Sequence, residues 1–145
     1  MIKIICVGKI KENYLKELIR DYLLRINKYH KTEIIELKDN VDIQKETIDI
    51  LKVISKKDYN IALCINSKMY NSIEFANKIN SIFNNNGNIT FIIGGSNGLE
   101  EEIINLCNEC ISFSHMTFPH GLFRGILLEQ IYRSFKISNN ECYHK

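Results

Sequence analysis

The stretch FIIGGSNGLEEEI, Phe91–Ile103, passes from a short apolar run through three glycines into an acidic, amphipathic segment. An unbroken apolar run bounded by glycine reads as a buried strand, and the periodicity from Leu99 onward reads as a helix. A strand that feeds a helix through a tight turn is half of a βα unit, the connection that parallel strands require. The same alternation repeats on both sides. Strands are expected over Ile2–Val7, Thr32–Leu37, Tyr59–Ile65, Asn88–Ile93 and Ile111–Phe113. Helices are expected over Glu12–Tyr29, Ile43–Ser55, Ser72–Phe83, Leu99–Asn108 and Leu122–Ile137. The predicted fold class is α/β, a mostly parallel sheet with helices on both faces. In such sheets ligands sit beyond the carboxyl ends of the strands, which directs attention to the segments after Ile65, Ile93 and Phe113.

Composition agrees with one domain over residues 1–145. Apolar residues make up 45% and charged residues 25%, ordinary values for a chain that builds its own core. No window reaches the roughly 18 consecutive apolar residues of a membrane span. The N-terminal MIKIICVG enters a strand directly and carries no signal pattern, so a cytoplasmic protein without membrane partners is expected. Net charge is only +2, so any nucleic-acid contact must come from a local patch. The five cysteines sit mostly in apolar segments and suit reduced, buried thiols.

The glycine turn is neither G-x-G-x-x-G nor a P-loop. Glu100, Glu101 and Glu102 fall in the expected first helical turn, where they suit the helix dipole and repel phosphate. The glycines therefore fit close backbone approach to a phosphate-free ligand, or a plain turn capped by Ser96 or Asn97. A second run, CNECISFSHMTFPH from Cys107 to His120, imitates a zinc motif. Only four residues separate Cys110 from His115, and they read as a strand whose side chains point to opposite faces. The cysteine pair also falls at an expected helix C-terminus, where the dipole disfavours a thiolate. Packing is the reading adopted, with no metal. The end of the chain, EQIYRSFKISNNECYHK, supplies Arg133, Lys136, Tyr143, His144 and Lys145. These are stacking and phosphate-contacting groups suited to RNA, or else a solvated tail. The helix before it carries more apolar surface than one stripe needs, as a central core helix or a subunit contact would.

Taken together, FIIGGSNGL, SFSHMTFPH and EQIYRSFKI…YHK, with the start MIKIICVGKIKENYLKELIRDYLLRI, resemble the ribosomal RNA large subunit methyltransferase H family of the SPOUT superfamily. The resemblance spans essentially the whole chain. It implies a trefoil knot in the C-terminal part, a homodimer, and S-adenosyl-L-methionine as methyl donor. It also implies as substrate a pseudouridine of large-subunit rRNA, methylated at N3 on the assembled ribosome, with no role for DNA. Carried over by position, the cofactor site comprises Leu63, Gly94 and the loop Phe113, Ser114, His115, Met116, Thr117 and Phe118, shaped by Pro119. The tail implies Arg133, Tyr143 and His144 as catalytic groups. Arg133, Tyr143, His144, Lys145 and His120 are the RNA contacts implied, with His144 first and His120 second as proton acceptor. The chain departs from the family at Ile65–Lys68 (Ser67 included), at Gly121 and at Cys142, and is short between Leu37 and Tyr59. Two other classes remain open: a non-catalytic RNA- or ribosome-binding module on the same fold, and a dinucleotide-dependent enzyme.

Overall fold

A computed structural model describes residues 1–145. Its elements run β1 (Ile2–Val7), α1 (Asn13–Ile26), β2 (Thr32–Leu37), α2 (Ile43–Val53), β3 (Tyr59–Met69), α3 (Ser72–Asn86), β4 (Ile89–Ile93), α4 (Glu101–Leu106), β5 (Glu109–Ser112) and α5 (His120–Ser138). All five strands are parallel in the order β2-β1-β4-β3-β5. Strand alternation sorts the side chains. Ile2, Ile4 and Cys6 of β1 join Phe91 of β4 under α1, α3 and α5. Ile5, Val7 and Ile92 face Ile50 of α2 and Ile103 of α4 on the other side. Helices thus cover both faces, as the buried strands require.

The over-apolar α5 packs against both α1 and α3 and is a central core helix. It comes close to α1 at two glycines: a Cβ on Gly121 would lie 3.1 Å from Leu15 Cδ1, and one on Gly125 would lie 2.7 Å from Leu18 Cδ2. Arg124, only 1% exposed, ties α5 to the sheet through Glu36 (2.6 Å) and the Gly8 carbonyl (3.0 Å). No helix is long and apolar enough to cross a membrane.

Several boundaries differ from those expected. β3 continues past Ile65 to Met69, because Ile111 of β5 pairs first with Leu63 and again with Lys68 across a register shift. Residues between those pairings bulge out, so the unusual Ile65–Lys68 segment lies inside a strand rather than after it. α4 is only six residues long, and its N-cap is Glu100, not Ser96 or Asn97. Glu100 is held instead by the Thr47 hydroxyl of α2, which donates to its carboxylate at 2.9 Å. β5 begins at Glu109, two residues early, through pairing with Ile61.

Candidate active site

The site is built where β3, β4 and the segment after β5 reach their carboxyl ends. β4 ends at Ile93 and the chain turns at once. A Cβ on Gly94 would stand 2.6 Å from the backbone carbonyl of Gly98, so only glycine lets the turn close. The Gly98 N–H donates to the Gly95 carbonyl at 3.0 Å, and Gly98 has a φ of +73°. Between β5 and α5 the loop is shaped by its own polar groups. Ser112 Oγ lies 2.7 Å from the Ile65 carbonyl and 2.9 Å from that of Ser114, while the Met116 N–H donates to Ser114 Oγ at 3.0 Å. Pro119, with a φ of −54°, delivers the loop into α5. Phe118 stacks on Phe123 with ring planes 4° apart, and Phe113 meets Phe123 and Phe75 edge-on.

These segments enclose a cavity of about 600 Å3. Leu63, Gly94, Phe113, Ser114, Met116, Thr117 and Phe118 all line it. His115 does not; its Nδ1 faces the Ile65 carbonyl at 3.1 Å and so helps hold the loop to β3. His120, expected at the RNA, lines this cavity and packs over Gly8, whose missing side chain leaves room for the imidazole. Sequence reasoning missed Cys64, Ile65, Ser96, Leu99 and Phe123. The strand-end rule points to the segment after Ile93, which holds Ser96 and Leu99, but names no single side chain there; Phe123 is brought in by the fold. No lysine or arginine lines the cavity, which suits a ligand without phosphates.

The tail residues lie elsewhere. Glu129 of α5 accepts from Arg133 Nε at 3.0 Å and from the Tyr143 hydroxyl at 3.1 Å. Arg133 also donates to His144 Nδ1 at 3.0 Å and stacks over the Tyr143 ring. A guanidinium only donates, so Nδ1 of His144 is the accepting nitrogen of this pair. Burial, with Tyr22 and Glu129 alongside, holds the Tyr143 phenol above its ordinary range. Lys145 is exposed at the end of the chain. Arg133, Tyr143, His144 and Lys145 are thus grouped together, outside the cavity lining of their own chain. Cys64, which lines the cavity, lies beside Cys110, with Cys107 near both. Burial pushes the Cys107 thiol up to about 12 and Cys64 up to about 11.

A parallel sheet with a strand-end pocket, a glycine turn and an aromatic loop places the chain among α/β folds that hold small ligands beyond their strand ends. A family model described as "Predicted SPOUT methyltransferase" matches residues 1–144, and the chain belongs to that family. Ribosomal RNA large subunit methyltransferase H of Clostridium novyi is 46% identical, with 99% of each chain covered. Proteins of the same name from Fusobacterium nucleatum and Bacillus thuringiensis subsp. konkukian are 45% and 44% identical, again over 99% of each chain. A solved structure of a probable methylase family protein from Haemophilus influenzae Rd KW20 shares the fold, with a TM-score of 0.63. It has 16% identity, 99% coverage of this chain and 70% of that one.

Proposed function

We propose that this chain is an S-adenosyl-L-methionine-dependent methyltransferase acting on N3 of a pseudouridine in large-subunit rRNA, within the ribosome. The observation that carries the reading is the cavity of about 600 Å3, walled by the glycine turn and the 113–118 loop and free of lysine and arginine. Methionine-derived adenosine has no phosphate, and the closed Gly94–Gly98 turn gives backbone contact without side-chain obstruction. Leu63, Phe113 and Phe118 would bed the adenine, and the backbone of Ser114–Thr117 would read its edge. The cofactor supplies a methyl group already activated on a sulfonium. The chain's own task is to align the acceptor and favour its anion. The same cavity is a poor host for a pyrophosphate, which argues against the dinucleotide reading.

The names of the relatives support rRNA as substrate. The grouping of Arg133, Tyr143, His144 and Lys145 away from their own cofactor cavity fits a homodimer in which each tail serves the other subunit. The C-terminal knot and a cytoplasmic setting belong to the same reading. Isothermal titration tests the core of it: heat with S-adenosyl-L-methionine and none with NAD is expected. Labelled methyl groups should pass to ribosomes that lack the modification, and deleting Tyr143–Lys145 should abolish transfer while cofactor binding persists. Binding of rRNA with no cofactor heat would instead identify a non-catalytic module.

A further inference from the structure

A second cavity, of about 360 Å3, lies beside the first and shares Phe113 and Phe118 with it as a common wall. It opens between the start of α3, the end of β5 and α5, and apart from Phe113 and Phe118 none of its lining residues lines the first cavity. Two side-chain amides border it. Asn71 uses its Oδ1 to cap α3, accepting from the Glu74 N–H at 2.8 Å, while its Nδ2 hydrogens meet no protein acceptor. Gln130 accepts from the Ser72 hydroxyl at 2.8 Å and gives one Nε2 hydrogen to Glu129 at 2.9 Å, keeping the other free.

Gln130 also begins a continuous hydrogen-bonded path. Glu129 holds Arg133 (3.0 Å) and Tyr143 (3.1 Å), and Arg133 donates to His144 (3.0 Å). Tyr70 also lines the cavity, and its hydroxyl donates to Glu109. That carboxylate also takes Lys78 (2.7 Å) and Tyr59 (3.1 Å). Lys68 and Lys78 lie 4.9 and 5.6 Å from the centre of the Tyr70 ring, two cations beside an aromatic face.

We propose that this cavity is the acceptor-base pocket, and that it takes a single extruded pyrimidine of the imide type. The inference rests on the methyltransferase reading and assigns its substrate subsite. A planar base finds aromatic faces in Phe113, Phe118 and Tyr70, the usual bed for an unstacked RNA base, with Lys68, which has no carboxylate partner, placed for its phosphates. An imide nitrogen is flanked by two carbonyls, and its anion spreads its charge onto both oxygens. The free amide hydrogens of Asn71 and Gln130 are donors of the kind that stabilise such an anion. The imide N–H proton passes to solvent. The nitrogen lone pair then forms the N–C bond as the S–C bond breaks, its electron pair returning to sulfur as a neutral thioether.

Asn71→Asp is the informative variant, because aspartate keeps the helix cap but replaces the free donor with an anion. Gln130→Met removes the second donor at similar size. At saturating cofactor, single-turnover transfer to unmodified ribosomes should fall by about 10²-fold in either variant, the cost of one lost donor to a developing anion. Cofactor affinity by calorimetry should stay within about two-fold, and the rate profile of Asn71→Asp should move to higher pH. Transfer at the wild-type rate in both variants overturns the assignment. So does a parallel loss of cofactor affinity, which would give the cavity to the methionine tail. A wild-type chain that transfers nothing overturns the parent reading along with this one.

Discussion

At the scale of single residues, the glycine turn and the thiols make separable predictions. Gly94→Ala drives a methyl group to 2.6 Å from the Gly98 carbonyl, which is backbone and cannot rotate away. The turn must open, so cofactor affinity should drop at least about ten-fold by calorimetry. The sheet beneath is untouched, so the melting temperature should move by only about 5 °C, what ~1 kcal/mol shifts. Cys6 and Cys107 are each pushed up to about 12 by burial, whereas Cys142 is exposed. Iodoacetamide at about pH 8 should label Cys142 in the native protein and reach Cys6 and Cys107 only after unfolding, since the thiolate is the reactive form. Mass spectrometry of the digested protein reads this directly. Much of the residue-level chemistry was legible. Three glycines after an apolar run and a lone proline before a helix announce backbone that must turn sharply. The outward turn of the His115 side chain was not legible, because loop periodicity does not say which side chain faces inward.

Among the elements, α3 offers the cleanest test. Asn71 and Glu74 form a reciprocal capping box, with Asn71 accepting from the Glu74 N–H and Glu74 from the Asn71 N–H, both at 2.8 Å. Asn71→Ala should cost ~1 kcal/mol in chemical denaturation, while Asn71→Asp should be nearly neutral. That contrast separates the cap from any role of the same residue in transfer. Strand and helix identities followed from periods of two and 3.6. The errors were of extent. β3 was cut short because Asn66 and Ser67 read as turn residues, and only pairing with β5 across the bulge carries the strand to Met69. The cap of α4 was misplaced because Ser96 and Asn97 are good caps by type. In the fold they occupy the glycine turn, and Glu100 is recruited by Thr47 from another helix.

For the whole molecule, the end of the sheet away from the cavity contributes to acid stability through Asp58. Asp58 accepts from Lys3 (3.1 Å), Thr90 (2.9 Å) and Asn88 (3.3 Å). Burial alone would raise its carboxyl, but the hydrogen bonds from Lys3, Thr90 and Asn88 outweigh it and hold the value below the ordinary 3.8. Its stabilisation is therefore complete above that ordinary value and is lost as pH falls through the lower folded one. Denaturation midpoints measured from about pH 6 to about pH 2 should show this acid loss in the wild type and a flatter profile in Asp58→Asn. Alternating β and α periods, the absence of a linker and the glycine turn determined the α/β class, and the three strand ends located the cavity of about 600 Å3. These are local properties, written in the spacing of neighbouring residues. Only the tertiary structure decided the strand order. It also placed the second cavity against Phe113 and Phe118, and linked Gln130 through Glu129 to the tail. Those depend on side chains brought together from β3, α3, β5 and α5, and no spacing along the chain records which distant faces will meet.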